Sequence, residues 1–343
     1  MPEIRLVSGK KIGDKNRPYF VAEMNSSHNG KLETARKMID AAIECGCDAV
    51  KFQSWSAESL YCADYYKENP IAQRMVKKFA MAEETLKVLA KDCRDHGIAF
   101  SSTPYSKTEV DFLVSIQAEY IKVSSMDLNN LPFLEYIGRQ GFPVILSTGM
   151  GTMEEIHLAV RTIEETGNRN IGILHCVSIY PVRPEDVNLN NIRMLQQEFP
   201  EYPIGYSDHT LGPETAHAAV ALGAAMIEKH FTLDNSRIGW DNQMAAEPFA
   251  MKELVETSSK IYSAMGSYER VVSLEEQEQR KKMRRSIVAS RQLEAGYPLS
   301  VEDLDAKRPG DGISPDNYKM LVGKRLNRRV NRDEIIREQD LYD

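Results

Sequence analysis

Two histidines stand at positions in the sequence where they could share a metal ion. His209 closely follows the apolar run at 203–207, and His230 ends the next run, at 225–230. Both runs are typical of β-strands, and neighbouring strands lie about 5 Å apart. The two imidazoles could therefore bind one divalent cation, with coordination positions left for water and substrate. The alternative is that each histidine makes only structural hydrogen bonds.

Other strand-like runs end in charged and hydroxyl residues. Lys51 and Lys122 offer point charges, and serines near the same ends offer short-range donors for a phosphate or carboxylate. The alternative is that the buried lysines form structural ion pairs with Glu23 or Glu228. The combination indicates an enzyme that binds a small anionic substrate beside a divalent metal. These polar residues are Glu23, Lys51, Gln53, Ser101, Ser102, Lys122, Ser124, Ser125, Ser147, His175, Ser207, Asp208, Glu228 and Lys229.

The elements that must position these residues alternate between strands and helices. Eight short apolar runs occur at 18–23, 49–53, 98–102, 120–124, 143–147, 171–175, 203–207 and 225–230. Helix-like patterns lie between them, for example at 32–45, 82–96, 107–116, 129–139, 153–166 and 213–222. Because parallel strands need crossover connections, this order predicts an α/β fold with a closed (β/α)₈ TIM barrel and its site at the carboxyl ends of the strands. The competing open doubly wound sheet usually carries a glycine-rich phosphate turn after its first strand, and that turn is absent here.

The sequence changes character after about residue 265. Residues 1–265 hold the predicted barrel, and residues 266–285 form a charged stretch that we interpret as a solvated linker helix. Short β-like pieces and turns fill residues 286–343. This last segment is read as a small second domain that needs support from a partner surface.

Composition excludes several classes of protein. The 343 residues carry 43 Lys and Arg against 50 Asp and Glu, a net charge of −7, so we expect no broad nucleic-acid footprint. We expect no membrane span, since no apolar stretch approaches the roughly 18–20 residues required, and no secretory signal. Five cysteines, an odd and low count, suit free thiols in a reducing cytoplasm.

Nine motifs together resemble the sialic acid (N-acetylneuraminate) synthase family of bacterial nonulosonic acid synthases, over nearly the whole chain. They are Ala-Glu at 22–23 with His-Asn-Gly at 28–30, Ala-Val-Lys-Phe-Gln at 49–53, Phe-Ser-Ser-Thr-Pro at 100–104, Lys-Val-Ser-Ser at 122–125, Ser-Thr-Gly-Met at 147–150, Leu-His-Cys at 174–176 with Tyr-Pro at 180–181, Gly-Tyr-Ser-Asp-His-Thr at 205–210, Glu-Lys-His-Phe-Thr-Leu at 228–233, and Lys-Arg-Pro-Gly-Asp-Gly-Ile-Ser at 307–314.

The resemblance implies a barrel followed by a small antifreeze-like (SAF) domain, and it implies a transferase. Members of the family condense phosphoenolpyruvate (PEP) with an open-chain N-acyl hexosamine, such as N-acetylmannosamine or a 2,4-diacetamido-6-deoxy analogue. The products are a nine-carbon 2-keto acid and phosphate, which leaves by C–O cleavage of PEP. The resemblance also implies a domain-swapped homodimer.

Roles for individual residues follow from the same resemblance. The metal, commonly Mn²⁺ with Mg²⁺ or Co²⁺ possible, would lie on His209 and His230. Glu23 and Asp241 would be catalytic. PEP would be bound by Lys51, Lys122, Ser125, Ser147 and Ser207. The sugar would be contacted by Gln53, Asp127, Ser178, Tyr180, Asp241 and Arg308, the arginine coming from the partner subunit.

Departures from the family pattern fall near the expected sugar side. The chain reads Gly-Trp-Asp-Asn at 239–242 where the family often reads Gly-Pro-Asp-His, and Trp240 could instead pack on the small domain. Ser178 replaces a common asparagine, and Asp127 replaces a common glutamate. The PEP and metal motifs are intact, so we expect PEP as donor and leave the acceptor open. A non-acylated or phosphorylated aldose is the enzymatic alternative, and a metabolite-sensing barrel is the non-enzymatic one.

Overall fold

The computed structural model describes residues 2–13, 16–237 and 239–343. It divides into two compact units, Met1–Gly266 and Ser267–Asp343. The strands of the first unit are β1 (Glu3–Arg5), β2 (Lys11–Gly13), β3 (Tyr19–Glu23), β4 (Ala49–Gln53), β5 (Ala99–Thr103), β6 (Ile121–Val123), β7 (Val144–Ser147), β8 (Ile171–Cys176), β9 (Ile204–Asp208) and β10 (Met226–His230).

Strands β3 to β10 close into a parallel barrel in which β10 pairs with β3. All eight strand-like runs of the sequence form strands of this barrel. The predicted (β/α)₈ barrel is therefore confirmed, and the open sheet is excluded. Each strand is buried on both faces except at single positions in β4 and β5. Parallel pairing brings every carboxyl end to the same rim, which is the reason that distant polar residues meet there.

Helices cover the outside of the barrel through apolar stripes. In α1 the buried residues Ala35, Met38, Ile39 and Ala42 recur at the three- and four-residue spacing of one helix face. The helices of this unit are α1 (Leu32–Glu44), α2 (Ala57–Leu60), α3 (Ala63–Glu68), α4 (Pro70–Phe79), α5 (Glu83–His96), α6 (Lys107–Ser115), α7 (Leu131–Arg139), α8 (Met153–Glu164), α9 (Asn190–Glu198), α10 (Glu214–Ala221) and α11 (Pro248–Met265).

Two additions to the barrel were not anticipated from the sequence. The antiparallel hairpin of β1 and β2 packs Ile4 and Ile12 against Tyr19 and Tyr120 at the amino ends of the strands. At the opposite end, α2 to α4 are inserted between β4 and α5. They share a small apolar cluster that includes Trp55.

The second unit begins with α12 (Leu274–Met283) and continues with β11 (Ser286–Ala289), β12 (Leu304–Lys307), β13 (Arg325–Leu326) and β14 (Leu341–Tyr342). The strands pair into two antiparallel ribbons around a core of aliphatic side chains. The helix is shorter than the charged stretch at 266–285 and has no buried residue. A turn of the same unit is attached to it, because Gly310 N–H donates to the Lys281 carbonyl over 2.8 Å. In the part of the chain that is described, no helix is long and apolar enough to cross a membrane.

Candidate active site

A cavity of about 550 Å³ opens at the carboxyl ends of the barrel strands. Most of the residues singled out in the sequence line it, although they are spread over more than 200 positions of the chain. Those predicted residues are Glu23, Lys51, Gln53, Lys122, Ser125, Ser147, Ser178, Tyr180, Ser207, His209, His230 and Asp241.

Buried charges of both signs form the base of the cavity. Lys51 Nζ lies 2.6 Å from Glu23 Oε2 and 3.8 Å from Glu228 Oε2. Lys122 Nζ donates to Ser147 Oγ over 2.5 Å and lies 4.0 Å from Glu228 Oε1. Each lysine therefore has an acidic neighbour, as the structural alternative required, and each also lines the open cavity. The two interpretations of the lysines are compatible.

The two carboxyl groups of this cluster occupy different electrostatic environments. Burial raises the pKa of Glu23 to about 7, although Lys51 opposes the shift. Burial also acts to raise the pKa of Glu228, but Lys122 and Lys51 outweigh it and the pKa falls below its usual value. Glu228 is thus ionised at neutral pH while Glu23 is poised to exchange a proton. Two acids with separated pKa values are typical of acid–base sites.

The predicted metal histidines are close together. The ring centroids of His209 and His230 are 5.3 Å apart, and the Tyr180 ring lies 4.3 Å from that of His209. His209 Nδ1 donates to the Val177 carbonyl over 2.7 Å, so in the neutral ring the lone pair that could bind a metal is on Nε2. Burial lowers the pKa of His230 well below its usual value, so this imidazole is neutral and keeps a lone pair.

The donor set fits a metal that needs open coordination positions. Among the described residues, buried His230 Nδ1 has no hydrogen-bond partner, and it lies 3.9 Å from Asp241 Oδ2. Across residues 2–13, 16–237 and 239–343, no group of three or more His, Cys, Asp or Glu side chains is arranged to hold a metal. Two imidazoles would therefore be the protein's ligands, with the remaining positions open.

A second buried ion pair lies behind the histidines, on the outer side of the strands. Asp208 pairs with Lys229 in the barrel register, and Lys229 Nζ lies 2.6 Å from Asp208 Oδ2. Lys229 Nζ also donates to the Thr210 carbonyl over 2.9 Å, and Thr210 N–H donates to Asp208 Oδ1 over 2.9 Å. These bonds connect the residues on both sides of His209 to the residue that precedes His230. The pair therefore fixes the spacing of the two imidazoles.

Of the residues with a predicted ligand contact, Asp127 and Arg308 are not among those that line the cavity, and neither are Ser101, Ser102, His175, Asp208 and Lys229 of the polar strand ends. The Asp127 carboxylate accepts hydrogen bonds from Ser124 Oγ and Asn130 Nδ2, each over 3.1 Å. Arg308 belongs to the second unit, and its contact with sugar stays a prediction. Asn242, one of the family departures, is buried and bonds to its own loop through Thr232 Oγ1 and the carbonyls of Asp234 and Arg237. Its role is to fold the loop that carries Trp240 and Asp241.

Other lining residues were not singled out as site residues from the sequence. Ser124 and Glu228 were among the polar strand-end residues, but neither had an assigned ligand, and Glu228 was considered as a possible partner of a lysine. Trp55 and Tyr105 form an aromatic wall, and Cys176 lies 3.9 Å from His209 Nδ1. Cys176 directly follows a strand-like run and could have been found by that position. Trp55 and Tyr105 lie two and three residues beyond their runs, so strand ends alone do not reveal them.

Comparison with known proteins identifies the family. The NeuB family model matches residues 38–270, and the SAF domain model matches residues 284–341. The chain belongs to the NeuB family. The SAF match confirms the predicted antifreeze-like domain, and membership makes the chain an enzyme of the transferase type, which excludes the sensing barrel.

Individual NeuB relatives differ in the product that they are named for. The chain is 36% identical to N,N'-diacetyllegionaminic acid synthase of Legionella pneumophila over 95% of this chain and 96% of the relative. It is 32% identical to N-acetylneuraminate-9-phosphate synthase of Homo sapiens over 98% and 96%. The crystal structure of N-acetylneuraminic acid synthetase from Leptospira borgpetersenii, in complex with citrate, superposes with a TM-score of 0.74 at 33% identity, covering 81% of this chain and 96% of that one.

The role of the Asp208–Lys229 pair can be tested with Lys229→Met. We expect the dissociation constant for Mn²⁺ to rise about 10- to 100-fold, because the peptide that carries His209 loses its tie to β10. Isothermal titration of Mn²⁺ into the folded variant measures this. Lys10→Met, which removes one ion-pair partner of Asp48 at the amino ends of the strands, is the control and should leave Mn²⁺ affinity within twofold. Unchanged affinity in a folded Lys229→Met protein would contradict the positioning role.

Proposed function

We propose that this enzyme condenses PEP with an open-chain N-acyl hexosamine to give a nine-carbon nonulosonic acid and phosphate. The observation that carries the proposal is the convergence of two buried lysines, a proton-exchanging glutamate and two imidazoles in one cavity of a NeuB-family barrel. Relatives named as legionaminic, pseudaminic and N-acetylneuraminate 9-phosphate synthases support the same reaction class.

The charged base of the cavity suits PEP. At pH 7 the two lysines lie beside two carboxyl groups. Glu228 is ionised, and Glu23 is about half protonated. The remaining positive charge attracts the phosphate and carboxylate of PEP at low dielectric. Ser125, Ser147 and Ser207 add hydroxyl donors at the same depth. Ser125 Oγ is fixed by Gly149 N–H, which donates to it over 3.0 Å.

The reaction needs one carbon–carbon bond, one added water and one leaving group. C3 of PEP attacks the aldehyde carbon of the sugar, and the aldehyde oxygen takes a proton. Water adds at C2, and phosphate leaves with the oxygen that joined it to C2. We assign Glu23 as the base that takes the proton of that water, because its pKa near neutrality suits general base catalysis.

His209 and His230 would hold a divalent metal, with Mn²⁺ favoured over Mg²⁺ or Co²⁺, and when bound it would polarise the sugar aldehyde. The assignment is supported by the unpaired Nδ1 of His230 and by the fixed tautomer of His209. Asp241 lies beside His230 and would orient the sugar near the reacting end. Tyr180 and Ser178 are further sugar contacts in this proposal, and Ser178 Oγ has no partner in the described part of the chain.

The cavity favours an acceptor without phosphate. Among its described lining residues the only lysines are Lys51 and Lys122, and there is no arginine. Both lysines lie at the base of the cavity, where in this proposal they bind PEP. The mouth is formed instead by neutral side chains, including Leu60, Tyr61, Met126, Met150 and Trp240. A sugar phosphate would meet no further cation from this unit.

We also propose a domain-swapped homodimer in which Arg308 reaches the partner's cavity. Within its own unit, the turn that carries Arg308 is held by buried Ser286, whose Oγ donates to the Pro309 carbonyl over 2.6 Å and accepts from Gly312 N–H over 2.8 Å. Asp311, where the family more often has asparagine, lies 3.3 Å from Arg337 Nη2.

The five cysteines are free, which suits a cytoplasmic location.

The reaction is tested by measuring phosphate release from PEP with Mn²⁺ and a panel of aldoses. The panel contains N-acetylmannosamine, its 6-phosphate, 2,4-diacetamido-6-deoxy hexoses, and plain pentoses and hexoses. We expect release with an acylated, non-phosphorylated hexose and a keto acid of matching mass. Release that survives unchanged in the double variant His209→Ala, His230→Ala would contradict the metal assignment. Release only with a phosphorylated or non-acylated sugar would contradict the acceptor assignment.

Glu23→Gln tests the proton-transfer role. We expect kcat to fall about 10²- to 10⁴-fold. In the native enzyme kcat should rise as pH increases through about 7, since the base must be ionised, and this inflection should disappear in the variant. Glu33→Gln, at an exposed position of α1, is the matched control. The same inflection in Glu23→Gln would assign it to another group.

Arg308→Ala tests the contribution of the partner subunit. We expect the KM for the sugar to rise roughly 10- to 100-fold, as for loss of a hydrogen bond from a charged group, with the KM for PEP within twofold. Arg332→Ala, an exposed arginine of the same unit, should change neither constant. Equal effects of Arg308→Ala on both substrates would count against an acceptor contact.

A further inference from the structure

Asn25 is a buried residue in an uncommon backbone conformation. Its φ is +44°, in the left-handed region, and the residue is 1% exposed. The other described non-glycine residues with positive φ are all at least partly exposed. A Cβ atom crowds the backbone in this region, although asparagine tolerates it better than most residues. Glycine would make the same turn without crowding, so the presence of asparagine indicates a use for its side chain.

The main chain of Asn25 belongs to a tight turn directly after β3. Ser27 N–H donates to the Met24 carbonyl over 3.2 Å and closes the turn. Within it, Asn25 N–H donates to Glu23 Oε1 over 3.2 Å, and Gln53 Nε2 donates to the same oxygen over 2.8 Å. The turn therefore helps to orient the carboxyl group that we assign as the base.

The turn after β3 packs against the loop after β10. The two strands are neighbours in the barrel, so the segments that follow them leave the rim side by side. Beyond the strands, Trp240 N–H donates to Ser26 Oγ over 3.3 Å. This bond joins the residue after Asn25 to the residue before Asp241. Both Asn25 and Asp241 line the cavity, and the bond between their neighbours holds the two residues close together.

The side-chain amide of Asn25 acts on the carboxylate of Asp241. Burial raises the pKa of Asp241, and both His209 and the Asn25 side chain act against that shift. An amide stabilises a carboxylate by directing an N–H toward it. Asn25 Nδ2 makes no well-formed hydrogen bond to another described residue. The Asp241 carboxylate is therefore the polar group that this amide serves.

We propose that Asn25 is a positioning residue that couples the proton-transfer group to the group that orients the sugar. Its main-chain N–H holds Glu23, which takes the proton of the added water, and its side-chain amide holds Asp241. Because Asn25 is almost fully buried, it acts through these two acids and contacts no substrate itself. This inference rests on the proposed function and adds a residue to the machinery of that reaction.

Asn25→Gly removes the side chain and keeps both the left-handed turn and the main-chain N–H. We expect the KM for the sugar that supports phosphate release to rise roughly tenfold, as for loss of a hydrogen bond to a charged group. The KM for PEP should stay within twofold. Asn29→Gly is the matched control, because Asn29 is also left-handed, at φ +53°, and does not line the cavity. It should leave both KM values within twofold.

An exchange of the two side chains tests the contact without turnover. Asn25→Asp is nearly isosteric and tolerates the left-handed turn, but it places a second carboxylate beside Asp241. We expect the melting temperature above neutral pH to fall by several degrees. The double variant Asn25→Asp, Asp241→Asn exchanges the amide and the carboxylate, and it should recover at least half of that loss. Thermal unfolding of the native protein, both single variants and the double variant completes the cycle.

The outcomes separate this inference from the proposed function. Unchanged or equally raised KM values in Asn25→Gly, an equal effect of Asn29→Gly, or additive losses of melting temperature in the exchange would overturn the positioning role. Phosphate release by the native enzyme would then still support the synthase. Conversely, failure of every sugar to release phosphate would defeat the proposed function, while recovery of stability in the double variant would still support the coupling of Asn25 to Asp241.

Discussion

The closed parallel barrel places four mutually compensating charges at the base of one cavity, and the site depends on that compensation. Lys51, Lys122, Glu23 and Glu228 are almost fully buried, and a lone buried charge would cost several kcal/mol by the usual order of magnitude. Each is tolerable because an opposite charge lies within about 4 Å of it. The same arrangement separates the pKa values of the two acids, so the interaction that permits burial also prepares the site for proton transfer.

Strand alternation allows a second layer of support to exist directly behind the site. Glu228 and His230 point to one face of β10, and Lys229 between them points to the other. The Asp208–Lys229 pair therefore holds the two histidine-bearing strands together without occupying the cavity. Asn242 holds the loop after β10 in the same way. Its neighbours Trp240 and Asp241 line the cavity. Residues that line the cavity and residues that hold them in place are interleaved in sequence.

Much of the site could be predicted because the carboxyl ends of the strands in a parallel barrel all lie at one rim. Glu23, Lys51, Lys122, Ser147, Ser207, His209 and His230 were identified from their positions relative to apolar runs, and the barrel brings them together. Side-chain direction was harder to predict. Asp127 follows a strand in the same way, yet its carboxylate caps a local turn. The amino-terminal hairpin and the aromatic wall depend on contacts between segments that are distant in sequence, and a single sequence carries little signal of such contacts.

The hairpin of β1 and β2 affects which end of the barrel reactants can enter and leave. Ile4, Leu6 and Ile12 fill the space under the amino ends of the strands, so the ligand space has its opening at the other end. If PEP lies on the lysines at the base and the sugar lies nearer the mouth, a sugar that arrives early blocks the route to the base. Under that assignment PEP would bind first and the sugar second. Phosphate, formed at the base of the cavity, would then leave after the keto acid.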